Sequence, residues 1–88
     1  MTTAALVEEL KVSLGIQPGP GPFDAVLAQK VIAVLSFLRA AGVSEVTLAS
    51  EAAIGVIVLG AGDLFNAQAG EVNLSPAFHS LATQLALL

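Results

Sequence analysis

The fold of this chain turns on Ala52-Ala53-Ile54-Gly55-Val56-Ile57-Val58-Leu59-Gly60-Ala61-Gly62. None of these residues is polar, and Glu51 and Asp63 bracket the stretch. Read as a helix, it is apolar around its whole circumference for three turns, the pattern of an element buried on every side. Thr47 is positioned to cap such a helix, and Glu51 in the first turn suits the positive end of its dipole. One domain in a chain of 88 residues can hardly cover all of it. The expectation is therefore that neighbours outside the domain complete the burial.

Downstream, Ser75-Pro76 supplies an N-cap followed by proline at the first helical position, where a missing N–H costs nothing. The final segment opens at Asn73. Phe78, Leu81, Leu85 and Leu88 form its apolar stripe, with Ser80, Thr83 and Gln84 on the wet side. Upstream, Phe23 to Ala41 places Phe23, Leu27, Val31, Val34, Phe37, Leu38 and Ala41 on one side of a helix, and Gly42 stops it. Lys30 falls inside that apolar arc. Its stem is expected on the core with the ammonium reaching water, the alternative being a buried pair with Glu9 or with a carboxylate of a neighbouring subunit. Gly15 to Pro22 alternates glycine and proline and reads as a short connector within one domain.

Before that loop, Leu6, Leu10 and Leu14, with Val7, share one helical face while Glu8, Glu9 and Lys11 point mostly elsewhere. Thr2 or Thr3 can cap this first helix, and Gly15 and Pro18 end it. The segment Val43 to Leu48 is left open between strand and loop. The whole predicts an all-α fold: one domain over residues 1–88, a compact bundle of about four helices with short loops.

Hydrophobic residues make up 56% of the chain and charged residues 11%, against roughly 25% charged in ordinary soluble domains. With no cysteine there is neither a disulfide framework nor a thiolate metal site, so oligomerisation is the expected source of added stability. Three dispersed basic residues (Lys11, Lys30, Arg39) and a formal charge of −4 argue against sequence-specific nucleic-acid binding. The Met1 to Glu9 segment has no basic lead and no unbroken apolar run, so no secretory signal is expected. The apolar stretch is about half the ~20 residues that a membrane-spanning helix needs. Ala25 to Val43 is long enough but carries Lys30 and Arg39, so no membrane association is expected.

No catalytic, cofactor-binding or metal-ligating residue is assigned. Val56 to Gly62 looks like the first strand and glycine turn of a dinucleotide fold, but Phe65 stands where the third glycine belongs and only 26 residues follow Gly62. His79 is the single histidine and lacks the companions that a zinc site or a hydrolytic triad requires. It is expected on a solvated rim. Glu8 and Glu9 are adjacent, hence about 100° apart on a helix, and cannot face each other as an acid–base pair. The Asp-Ser-Leu attachment motif of acyl carrier proteins is missing.

Four passages together resemble the head-to-tail connector, or head-completion adaptor, family of long-tailed phages. Leu10-Lys11-Val12-Ser13-Leu14-Gly15-Ile16 is similar to that family's short opening helix, and Phe23-Asp24-Ala25-Val26-Leu27 to its Asp-rich start of helix two, with glycine and proline here replacing most of the acids. Ala52 to Phe65 occupies the place of its long apolar helix, where an aromatic and Glu-Asn-Arg commonly close the element; here Leu64-Phe65-Asn66 stands and the arginine is missing. Leu74-Ser75-Pro76-Ala77-Phe78-His79-Ser80-Leu81 is similar to its closing segment.

The resemblance implies a structural, non-enzymatic virion protein without cofactors, assembled in the host cytoplasm and placed in the neck between head and tail. Its partners would be copies of itself in a ring, commonly of twelve, the phage portal protein, and a tail-side adaptor or tail completion protein. DNA would pass through the ring, and the net negative charge is compatible with lining such a conduit. The expected subunit contact is the Ala52 to Phe65 helix, where glutamate at Val58 would bury a charge. A small holin-like membrane protein and a generic helical oligomerisation module are the alternatives.

Overall fold

The computed structural model describes residues 1–67 and 74–88. Five helices follow one another: α1 (Thr3–Leu14), α2 (Asp24–Ala40), α3 (Glu45–Leu48), α4 (Glu51–Asn66) and α5 (Pro76–Ala86). Four are substantial and α3 is a single turn, so the expected all-α bundle is what forms. The described residues contain no strand.

The apolar stretch lies within α4, and the other four helices all pack on it. Ala53, Val56, Ile57, Gly60 and Ala61 are buried; Ile54, Val58, Leu59 and Gly62 are half-buried. Only Ala52 and Gly55 of the stretch are exposed. The domain thus covers much of its own apolar helix and leaves Ile54, Val58 and Leu59 half-buried. The physical reason lies in residue size: the side of α4 turned from the core carries Ala52 and Gly55, which present almost no apolar side chain to water.

Close packing on α4 depends on Gly60. A Cβ there would overlap the Phe78 ring of α5, coming within 2.7 Å of its Cδ1, and would press on Val34 of α2 at 3.1 Å from Cγ1. The missing side chain lets helices on two sides approach one backbone. Around this point Leu27, Val31, Val34 and Leu38 of α2, Leu6, Val7 and Leu10 of α1, and Phe78, Ala82 and Leu85 of α5 complete the core. On α2, Phe37 sits at the edge of this core, and Phe23, just before the helix, and Ala41, just after it, are exposed. Leu88, placed on the α5 stripe by periodicity, is exposed beyond the helix end.

The helix ends follow their capping chemistry. Thr2 Oγ1 accepts the Ala5 N–H at 3.1 Å, and Ser75 Oγ accepts the Phe78 N–H at 3.2 Å with Pro76 opening α5. Gly15 and Gly42 close α1 and α2, with Ile16 N–H reaching back to Lys11 O and Val43 N–H to Leu38 O. Asn73 lies outside the described residues. Asp63 Oδ2 accepts the Ser75 N–H at 2.9 Å, tying the end of α4 to the start of α5.

Two local expectations are corrected. Val43 to Leu48 is neither strand nor loop throughout: Ser44 caps α3, its Oγ accepting the Thr47 N–H at 3.2 Å. Thr47 therefore does not cap the apolar helix. It is buried inside α3, and Ser50 takes the N-cap position of α4 while its hydroxyl donates to Thr47 O. The sequence Ser44-x-x-Thr47 competes for the chain before α4 can begin.

Gly60→Ala is expected to destabilise the domain by about 1–3 kcal/mol through overpacking. Urea unfolding checks it against Gly55→Ala, where an added methyl meets nothing and helix propensity alone favours alanine. Equal midpoints for the two variants would contradict the close approach at Gly60.

Candidate functional site

The polar centre of the molecule is Lys11. Its side chain is 1% exposed, although the helical pattern of α1 placed it with Glu8 and Glu9 away from the core. That expectation fails for Lys11 because it follows Val7 by four residues and so sits on the flank of the apolar face. Glu9 is exposed as expected, and Glu8 is half-buried.

All three ammonium hydrogens of Lys11 have an oxygen to meet. Nζ lies 2.9 Å from Glu8 Oε2 and 2.6 Å from Asp24 Oδ1, and donates to Gly19 O at 2.7 Å. The loop is bound in return, since Gly19 N–H donates to Glu8 Oε1 at 2.8 Å and Gly21 N–H to Asp24 Oδ2 at 3.3 Å. Gly19 has φ +86°, a conformation that a side chain would strain, and this turn presents both its N–H and its C=O to the cluster. The Gly-Pro connector is therefore fastened to α1 and to the first turn of α2 through one cation.

The charges hold each other. Hydrogen bonds that Lys11 donates to Asp24 and then to Glu8 hold it above the ordinary lysine value against the opposing effect of burial. Glu8 is lowered by its bond to Lys11 and then by the Gly19 N–H. Asp24 is lowered chiefly by Lys11. Each carboxylate is committed to the ammonium, so neither is poised as a general base near neutral pH.

Beside this cluster a groove of about 530 Å³ runs between α1 and the start of α2, floored by Val7 and Ala28, with Glu8 and Asp24 on its wall. The groove is almost wholly apolar apart from those two committed acids. Among the described residues no three His, Cys, Asp or Glu side chains come together to hold a metal ion.

The remaining residues considered from sequence are scattered. His79 is exposed on α5, its ring 5.7 Å from Phe37 and 5.8 Å from Phe78, an aromatic edge at the rim of the bundle. Val56 to Gly62 is helix throughout, so it forms no strand and phosphate-binding turn. Lys30 is half-buried, and among the described residues no carboxylate pairs with it, in keeping with a stem on the core and an ammonium in water. Arg39 instead meets Glu45 at 2.6 Å, an exposed pair that ties the end of α2 to α3 and raises the arginine further.

A second surface feature concerns α2. Phe23, Val26, Lys30, Ala33, Phe37 and Ala40 recur at alternating spacings of three and four, which sets them in one stripe on the flank of the helix. Phe37 leans on Phe78 at 5.5 Å between ring centres, and Phe23 on Phe65 at 6.0 Å. Val26, Ala33 and Ala40 are exposed. The periodicity of α2 carries this signal, but it merges in sequence with the neighbouring core stripe of Leu27, Val31, Val34 and Leu38.

Comparison with protein-family models, with curated proteins and with solved structures finds no match to this chain.

The ion cluster has a definite pH dependence. Glu8 and Asp24 are lowered, so their contribution to stability is complete above their unfolded values, about 4.3 and 3.9, and is lost as pH falls through the folded ones. Lys11 is raised, so its contribution is complete below about 10.4 and is lost as pH rises through its folded value. Lys11→Met is expected to lower the thermal midpoint at pH 7 and to flatten its decline between pH 5 and 3. An acid decline as steep as that of the parent chain would show that the carboxylates owe nothing to Lys11.

Proposed function

We propose that this chain is a structural assembly subunit of the head-to-tail adaptor type, working through protein contacts and without a reaction of its own. The observation that supports an assembly role is the flank of α2, where Val26, Ala33 and Ala40 stand exposed in a regular apolar row. A helical face with coiled-coil spacing and no charge except Lys30 is suited to packing against another helix. The resemblance to phage connectors supplies the setting: a ring of copies in the virion neck, below the portal and above a tail-side adaptor, with DNA passing through.

The contact face differs from the one expected of the apolar helix, because α4 is largely spent on the domain's own core. A membrane role has less support. No helix among the described residues is long and apolar enough to cross a bilayer.

The test is the mass of the purified chain by light scattering from micromolar to millimolar concentration, alone and with portal protein from the same genome. The adaptor reading predicts growth into rings, or recruitment of many copies onto each portal ring. Ala33→Glu is expected to suppress that association while leaving unfolding stability within about 0.5 kcal/mol of the parent. A chain that stays monomeric throughout and ignores the portal would overturn the proposal, and a soluble dimer that ignores it would leave a generic oligomerisation module.

A further inference from the structure

The reading of the chain as an assembly subunit leaves open which surfaces meet, and two helical faces answer each other in shape and charge. On α1, Ala5, Glu9 and Val12 lie on the side turned from the core. Glu9 is exposed, Val12 is 76% exposed and Ala5 is half-buried. On α2, Val26 is 41% exposed, Ala33 is exposed and Lys30 is half-buried between them. Each face is one heptad long, from residue 5 to 12 and from 26 to 33, about 10 Å of helix at 1.5 Å per residue. Each carries one charge between apolar neighbours, and the charges are opposite.

Both faces are spaced four residues then three, so they match position by position when the helices run parallel. Ala5 then falls beside Val26, Glu9 beside Lys30 and Val12 beside Ala33, a small residue meeting a larger one at each end. Among the described residues neither Glu9 nor Lys30 has an ion-pair partner within the chain. Within one molecule the faces are kept apart. The α1 helix lies along the flank of α2 that carries Asp24, Ala28 and Leu35, whereas the Val26 to Phe37 row lies on the flank beside Phe65 and Phe78. Pairing either face with its own copy about a twofold axis would bring like charges together, lysine against lysine or glutamate against glutamate.

We propose that copies of this chain join head to tail, the α1 face Ala5-Glu9-Val12 of one copy packing parallel on the α2 face Val26-Lys30-Ala33 of the next, with Glu9 paired to Lys30 across the contact. A contact between two different faces is heterologous and repeats from copy to copy, closing into a ring when the rotation permits. One heptad is a small contact. The association is therefore weak between two copies and strengthens when a ring closes or a portal gathers the copies together.

Charge reversal tests the contact. Glu9→Lys and Lys30→Glu are each expected to raise the concentration needed for half-association at least about tenfold, with thermal midpoints close to the parent because both sites lie outside the core. The double variant restores association, since its reversed charges meet again. A mixture of the two single variants also restores it, each lysine-bearing face meeting a glutamate-bearing one in alternating copies. Single variants that associate like the parent would overturn this contact and leave the assembly reading standing, as would singles whose loss neither the double variant nor the mixture repairs. A parent chain that is monomeric at millimolar concentration and ignores the portal would overturn both.

Discussion

At Gly60 the backbone of α4 comes close enough to Phe78 and Val34 that no side chain fits between them, and the architecture depends on that approach. Because it exists, α2 and α5 pack on one backbone while α1 and α3 complete the enclosure. A small chain buries a modest share of its surface and has little stability to spare. Spending small residues at the crossing and at Ala52 and Gly55 lets the most apolar helix serve as the core with its larger side chains buried or half-buried.

The Lys11 cluster solves a different difficulty. The connector between α1 and α2 contains three of the chain's four prolines, Pro18, Pro20 and Pro22, with glycines between them. Such a segment has few backbone donors and no side chains suited to a core. One ammonium, held by Glu8 and Asp24, gives its backbone a partner at Gly19 and ties both helices to the turn. The acids of this cluster thus serve the fold.

Much of the fold was legible in the sequence. The caps at Thr2 and Ser75, the stops at Gly15 and Gly42, and the core stripes of α1, α2 and α5 follow from local chemistry and periodicity. What escaped depends on contacts between distant segments. The α1 pattern points Lys11 toward solvent, and its partner Asp24 and the Gly19 carbonyl reach it only once the connector folds back. The burial of α4 within one domain could not be judged from composition, since it rests on the order in which small and large residues face the other helices. Thr47 and Ser44 offer the same capping chemistry three residues apart, and only the path of the chain decides between them.

The core of the domain is built around α4, and the association proposed above uses the outer helical faces instead. Amide hydrogen exchange on the dilute chain, at a concentration where light scattering gives the monomer mass, tests this most directly. The account predicts that the amides from Val56 to Ala61 are the slowest to exchange and open only with global unfolding. Rapid exchange of those amides in the monomer, with protection gained only on association, would contradict it and return α4 to the subunit contact.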